Sequence, residues 1–286
     1  MSIDVQTWWT WLAIAFLVNV LLWLRAARLV ARERQQLPHA VHSERRLHLW
    51  LSAVYVLVCG FRGLLPRADV QRICLVDSFF SSVLVGRTVA TVAELCFAVQ
   101  WALFVRQLGE STRTESARVI SRVLVPLIVA AEISSWIAVL TTDFLGNVIE
   151  QSTWTLCGIL IAIAFARCWP RADAAQRRYL RVTACVIAAF VCFMSTVDVP
   201  HYLARWHHDQ LAGKVYLHWR EGLVDAGRRW IVEFAWAPWR DEVAWMSLYF
   251  SVGVWVSISF ARAPARANQP LPAAEPATAT TPFLAG

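Results

Sequence analysis

Arg87, Thr91 and Glu94 stand at i, i+4 and i+7, which puts them on one face if their segment is helical. That segment is an apolar run over 79–105, long enough to cross a bilayer. A charge at the middle of such a run costs about 2.5–3.5 kcal/mol on insertion scales, so each needs a partner or a watery cavity. A guanidinium in that setting holds an anion, and a carboxylic acid kept from water retains a proton and can deliver it. Glu132 and Asp198, on two other apolar runs, are the groups that can face this pair. Glu94 is therefore read as a general acid, Glu132 or Asp198 as its counterpart, and Arg87 as an anion clamp.

Depths follow from the helical rise. Counted from the predicted outer boundaries, Arg62 and Arg87 lie about 10 Å deep, Glu132 about 16 Å, Glu94 about 22 Å and Asp198 about 5 Å. Arg87 and Glu94 are then about 10 Å apart along their helix, which predicts no direct ion pair. Glu132 is the expected partner of Arg87, and Asp198 or Asp77 that of Arg62. Ligand contacts are expected from Arg62, Thr91, His201, Arg220, Asp225 and Ser251. His201 lies near His207, His208 and Asp209, but solvated histidines account for that group, and no metal or other cofactor is expected. Ser247 and Ser251 also fit helix packing through small side chains. The bland alternative for all these charges is a polar network that sets helix register without chemistry.

The elements carrying these residues are legible from composition. The chain has 286 residues, 58% hydrophobic and 16% charged, against about 25% charged in a soluble domain. Apolar runs at about 7–24, 48–65, 79–105, 123–140, 152–168, 182–199 and 243–260 predict an all-α, seven-helix transmembrane domain over 1–263. The short alternating segments of a β-barrel are missing. The first run has no basic stretch before it and no small-residue cleavage site after it, so it reads as a span and not a cleaved signal. Arginines cluster at 25–46, 106–122 and 167–181, and the turns between are poor in them. That asymmetry puts those loops in the cytoplasm, the N-terminus outside and the C-terminus inside, in a bacterial-type inner or plasma membrane. Much of the net charge of +7 is thus a topology signal and not a nucleic-acid surface.

The long segment 201–242 holds Trp206, Trp219, Trp230, Trp236 and Trp239 among charges. It is expected to lie on the outer surface at headgroup depth, as a lid over the pocket. The Pro/Ala/Thr-rich 264–286 is expected to be a disordered cytoplasmic tail. In outline the chain is similar to microbial rhodopsins, but 243–260 has no lysine, Lys214 falls in a loop, and Ala90 stands three residues after Arg87. That likeness is rejected on those residues. The expected partners are the bilayer and an amphiphilic small molecule. Three functions stay open: acid/base chemistry on a lipid-like or isoprenoid-like amphiphile, a receptor, sensor or assembly protein using the outer segment, and a proton-coupled transporter. No internal repeat is visible to favour the last.

Overall fold

A computed structural model describes residues 4–264. It is an all-α bundle with seven helices long and apolar enough to cross a membrane, as expected of a multi-pass membrane protein. They are α1 (Val5–Arg32), α2 (His39–Leu64), α3 (Val83–Ser111), α4 (Glu115–Thr141), α5 (Phe144–Cys168), α6 (Ala174–Phe193) with its continuation, and the segment from α9 (Trp236–Leu248) to α10 (Val254–Ser259). From α1 to α6 each helix packs beside the next, and α10 closes back onto α1 and α2. Short connections force this, because a few residues can only return the chain antiparallel to its neighbour.

Caps fix where the helices begin. Asp4 accepts from the Thr7 backbone N–H at 2.7 Å, and Asp143 from that of Leu145 at 2.9 Å. Asp173 and Gln176 form a reciprocal capping box ahead of α6. The outer faces are apolar: Trp11, Leu17, Leu21, Ile133, Ile137 and Val182 are all exposed. A water-soluble helix would turn polar side chains outward there.

The stretch 201–242, expected to lie flat as short amphipathic helices, is helical in part but begins as an extension of the sixth span. α6 runs on through a π-helical turn, Met194–Asp198, into α7 (Val199–Leu211). The whole of Ala174–Leu211 is one helix of 38 residues, about 57 Å long and so well beyond a bilayer core. Then come α8 (Trp219–Arg228) and a two-residue strand β3 (Ile231–Val232). β3 pairs in parallel with β2 (Ile73–Cys74), which pairs antiparallel with β1 (Arg67–Ala68). The hairpin and α8 cap one end of the bundle. α8 sits so close to α4 that a Cβ at Gly222 would fall 1.6 Å from the Leu140 carbonyl oxygen. Of the expected tail over 264–286, all but Pro264 lies outside the described residues.

The opposite, arginine-rich end is filled by interlocking aromatic rings. Trp101, Phe104, Phe165 and Phe260 meet with centroids 4.8 to 6.5 Å apart. The capped half is filled differently.

Candidate functional site

Between α3, α5, α6 and the α9–α10 segment, the capped half holds a cavity of about 390 Å³. Its body is apolar, with Phe97, Trp101, Trp154, Ile161, Phe190 and Val256 on the walls. Its polar end gathers Arg62, Asp69, Arg87, Glu94, Glu150, Asp198 and Glu242. The π-helical turns Met194–Asp198 and Tyr249–Gly253 face each other across it. A π-turn widens a helix locally and re-aims the side chains that follow, which is why such turns recur at functional sites.

Arg87 is the centre of the polar end. One terminal nitrogen donates to Glu94 at 2.9 Å and to Glu132 at 2.5 Å, and the other lies 3.3 Å from Glu150. All four side chains are buried. Thr91 donates to the same Glu132 oxygen at 2.6 Å and accepts from the Trp136 indole at 3.1 Å. Tyr249, presented by its π-turn, donates to the other oxygen of Glu94 at 3.2 Å. Ligand-capable oxygens of Glu94, Glu132 and Glu150 lie within 4.8 Å of one another. The guanidinium, bonded to all three, already fills the cationic role among them.

This arrangement corrects several expectations. The Arg87–Glu94 pair does form. A separation of about 10 Å between backbones is spanned when one side chain is an arginine and the other a glutamate that leans back toward the start of its helix. The terminal nitrogens of Arg87, expected to clamp a ligand anion, meet three carboxyls of the protein itself. Arg62 pairs with Asp69 at 3.8 Å and lies over the rings of Trp245 and Phe250, not with Asp198 or Asp77. Asp77 accepts from the Trp230 indole at 2.8 Å instead.

Chain comparisons add nothing to this geometry. The chain matches no known protein family, no curated protein and no solved structure.

The cap supplies the roof. Asp69, at the hairpin tip, accepts from Arg67 Nε at 2.9 Å. Burial alone would raise Asp69, but Arg67, Arg62 and Arg87 around it hold it below its ordinary value. Burial pushes the Arg67 guanidinium down to about 10, against the opposing pull of Asp69. Gly86 makes room for that guanidinium, since a Cβ there would lie 1.1 Å from Arg67 Cζ. Gln71 donates to Glu242 at 3.0 Å, and the Trp245 indole to its other oxygen at 2.6 Å.

The remaining sequence candidates fall outside the cavity wall. Thr91 and Glu132 stand behind Arg87. Ser251 donates to the Ser247 carbonyl of its own helix at 2.5 Å. His201 is on α7, half-buried against Tyr202. Arg220 lies over the Trp219 ring on α8, and Asp225 is taken by Arg72 at 2.8 Å and Arg229 at 3.1 Å. In exchange, the structure brings in Glu150, Asp69, Glu242 and Tyr249. Asn147, Glu150, Gln151 and Trp154 keep a spacing of three and four that marks one helix face, and that was the available signal for Glu150.

Proposed function

We propose that the chain is a multi-pass protein of a bacterial-type inner or plasma membrane, N-terminus outside, that performs acid/base chemistry on a lipid-like amphiphile. One observation carries the reading: three buried carboxyls share a single guanidinium beside a cavity with an apolar body. One positive charge balances one carboxylate, so the group is neutral only when the other two carboxyls carry protons. Such a cluster can release a proton into the cavity and take it back. Glu94 is the donor, because it lines the cavity and is held from both sides by Arg87 and Tyr249. Glu150, beside it on the cavity wall, and Glu132, behind Arg87, serve as the reservoir.

Arginine asymmetry supports the orientation, with the capped end outside. The ligand's apolar part fits between the sixth and seventh membrane-crossing helices. These are joined across the slot by Arg205–Asp241 at 3.3 Å near one end and Tyr179–Ser259 at 2.7 Å near the other. A transporter needs a path to both faces, and the aromatic packing of Phe104, Phe165 and Phe260 stands below the cavity where that path would run.

The test is Glu94→Gln, which keeps size and hydrogen bonding while removing the transferable proton. The variant is expected to fold, and the lipid profile of cells carrying it should match that of cells lacking the protein. Turnover, once a substrate is in hand, should fall by about 10²–10⁴. A folded Glu94→Gln that restores the wild-type lipid profile overturns the reading.

A further inference from the structure

Asp198 stands apart from every other acid in the cavity. It is nine-tenths buried, at 9% exposure, and lines the cavity from the π-turn of the sixth span. Among the described residues no hydrogen bond or ion pair reaches it. The charged groups that act on it are Glu242 and Glu150, both acidic. Of the two arginines on the cavity wall, Arg87 is held by three carboxyls, while Arg62 lies over two aromatic rings, 3.8 Å from Asp69, with its buried Nε unpartnered. Arg205, the arginine of α7, pairs with Asp241.

A buried carboxyl with no donor of its own, ringed by other carboxyls and open to a cavity, lacks a cation. An aromatic ring completes the setting, since Tyr202 lines the cavity beside Asp198 and Glu242 and aromatic rings attract a cationic head. The geometry points to an amphiphile bearing a protonated primary amine, its ammonium against Asp198 and Glu242 and its alkyl chain between α5, α6 and α10. This rests on the amphiphile reading above and names the head group that reading leaves open. The chain's room is adequate: Glu150 at the polar end and Ile161 on the apolar wall are about 16 Å apart along α5. A phosphate head would find Arg62, already 3.8 Å from Asp69, but would also face the carboxyls of Asp198, Glu150 and Glu242.

Three probes of equal tail decide the matter: dodecylamine, dodecanol and dodecyl phosphate, added to the purified full chain in a neutral detergent. Binding is read by thermal shift and by tryptophan fluorescence, since Trp101, Trp154 and Trp245 line the cavity. Dodecylamine should bind about tenfold or more tighter than dodecanol, the worth of one charge-assisted contact, and dodecyl phosphate more weakly than either. Asp198→Asn should remove the amine's advantage while leaving dodecanol binding in place. If that variant does not fold, Glu242→Gln carries the same expectation. Equal binding of all three probes, or tighter binding of the phosphate, overturns the amine head group and leaves the amphiphile reading standing. An amine preference that persists in the folded variants does the same. Failure of every probe to bind overturns both.

Discussion

Two polar nodes sit inside the bundle, and they are built on opposite plans. Toward the arginine-rich end, Gln100 donates to the His48 carbonyl at 2.8 Å and the Ser257 carbonyl at 3.2 Å, while Ser257 donates back to Gln100 at 2.6 Å. The bonding groups of this node are neutral, matched to one another, and enclosed by close packing. Toward the capped end, Arg87 faces three carboxyls, charge exceeds countercharge, and a cavity opens alongside. A neutral node whose amide, hydroxyl and carbonyl groups pair with one another is what helix register requires. An unbalanced charged node costs stability, and inside a membrane bundle it marks a candidate functional site. On the function proposed above, the contrast separates bracing from chemistry within one protein.

The sharpest way to break that contrast is Arg87→Met. It leaves Glu94, Glu132 and Glu150 crowded without a cation, and should cost about 3–5 kcal/mol. The loss should appear as a collapse of the monodisperse fraction on gel filtration in detergent. If Arg87→Met is as stable as wild type, the charged node is not the strained one.

Asp69→Asn comes next. It removes the carboxylate that Arg67 and Arg62 share, and should cost about 1.5–3 kcal/mol at neutral pH. The sign of its pH dependence is fixed. The folded value of Asp69 is depressed, so its contribution is full above the ordinary carboxylate value and fades as pH falls through the depressed one. Acid unfolding of the wild type below about pH 3.8 should therefore include a component that Asp69→Asn lacks.

Asn19→Leu probes how the charged node is aimed. Asn19 donates to the Phe250 carbonyl at 2.7 Å and accepts from the Trp255 indole at 2.9 Å, pinning the π-turn that presents Tyr249. Its loss should cost about 1–3 kcal/mol and shift the fluorescence of the cavity tryptophans. Smallest of all is Gln100→Leu. Membrane hydrogen bonds of this neutral kind average about 0.6 kcal/mol, so a modest drop in melting temperature with unchanged lipid profile is expected. A Gln100→Leu protein that folds but loses function would erase the distinction between the nodes.

How much of this was legible depends on what each feature writes into the sequence. Long apolar runs announce themselves, so the seven helices were found. The Arg87–Glu132 pairing followed from depth, since helical rise is regular. Glu150 was missed because a carboxyl near the end of an apolar run looks like part of a turn. The spacing of Asn147, Glu150, Gln151 and Trp154 hinted at a helix face, and the start of α5 at Phe144 shows that Glu150 is inside. The hairpin gave no signal because its turn contains no glycine. Arg72 itself takes the left-handed conformation, φ 60, and is held there by its bonds to Asp225, the Asp69 carbonyl and the Val139 carbonyl. The continuation of the sixth helix through α7 was hidden by Pro200, which reads as a stop but is tolerated in the first turn after the π-segment.

The two π-turns carry one more consequence, which concerns chain length. An α-helix advances about 100° per residue, so deleting a residue from the middle of a span swings everything beyond it to another face. A π-turn holds one residue more than an α-turn does. A deletion within Tyr249–Gly253 or Met194–Asp198 can therefore be absorbed as a return to plain α-helix, with both flanking faces kept. The sixth and seventh spans should tolerate a one-residue deletion at these places and nowhere else along their length. A homologous chain that had dispensed with this pocket would align with a single gap at one or both of them.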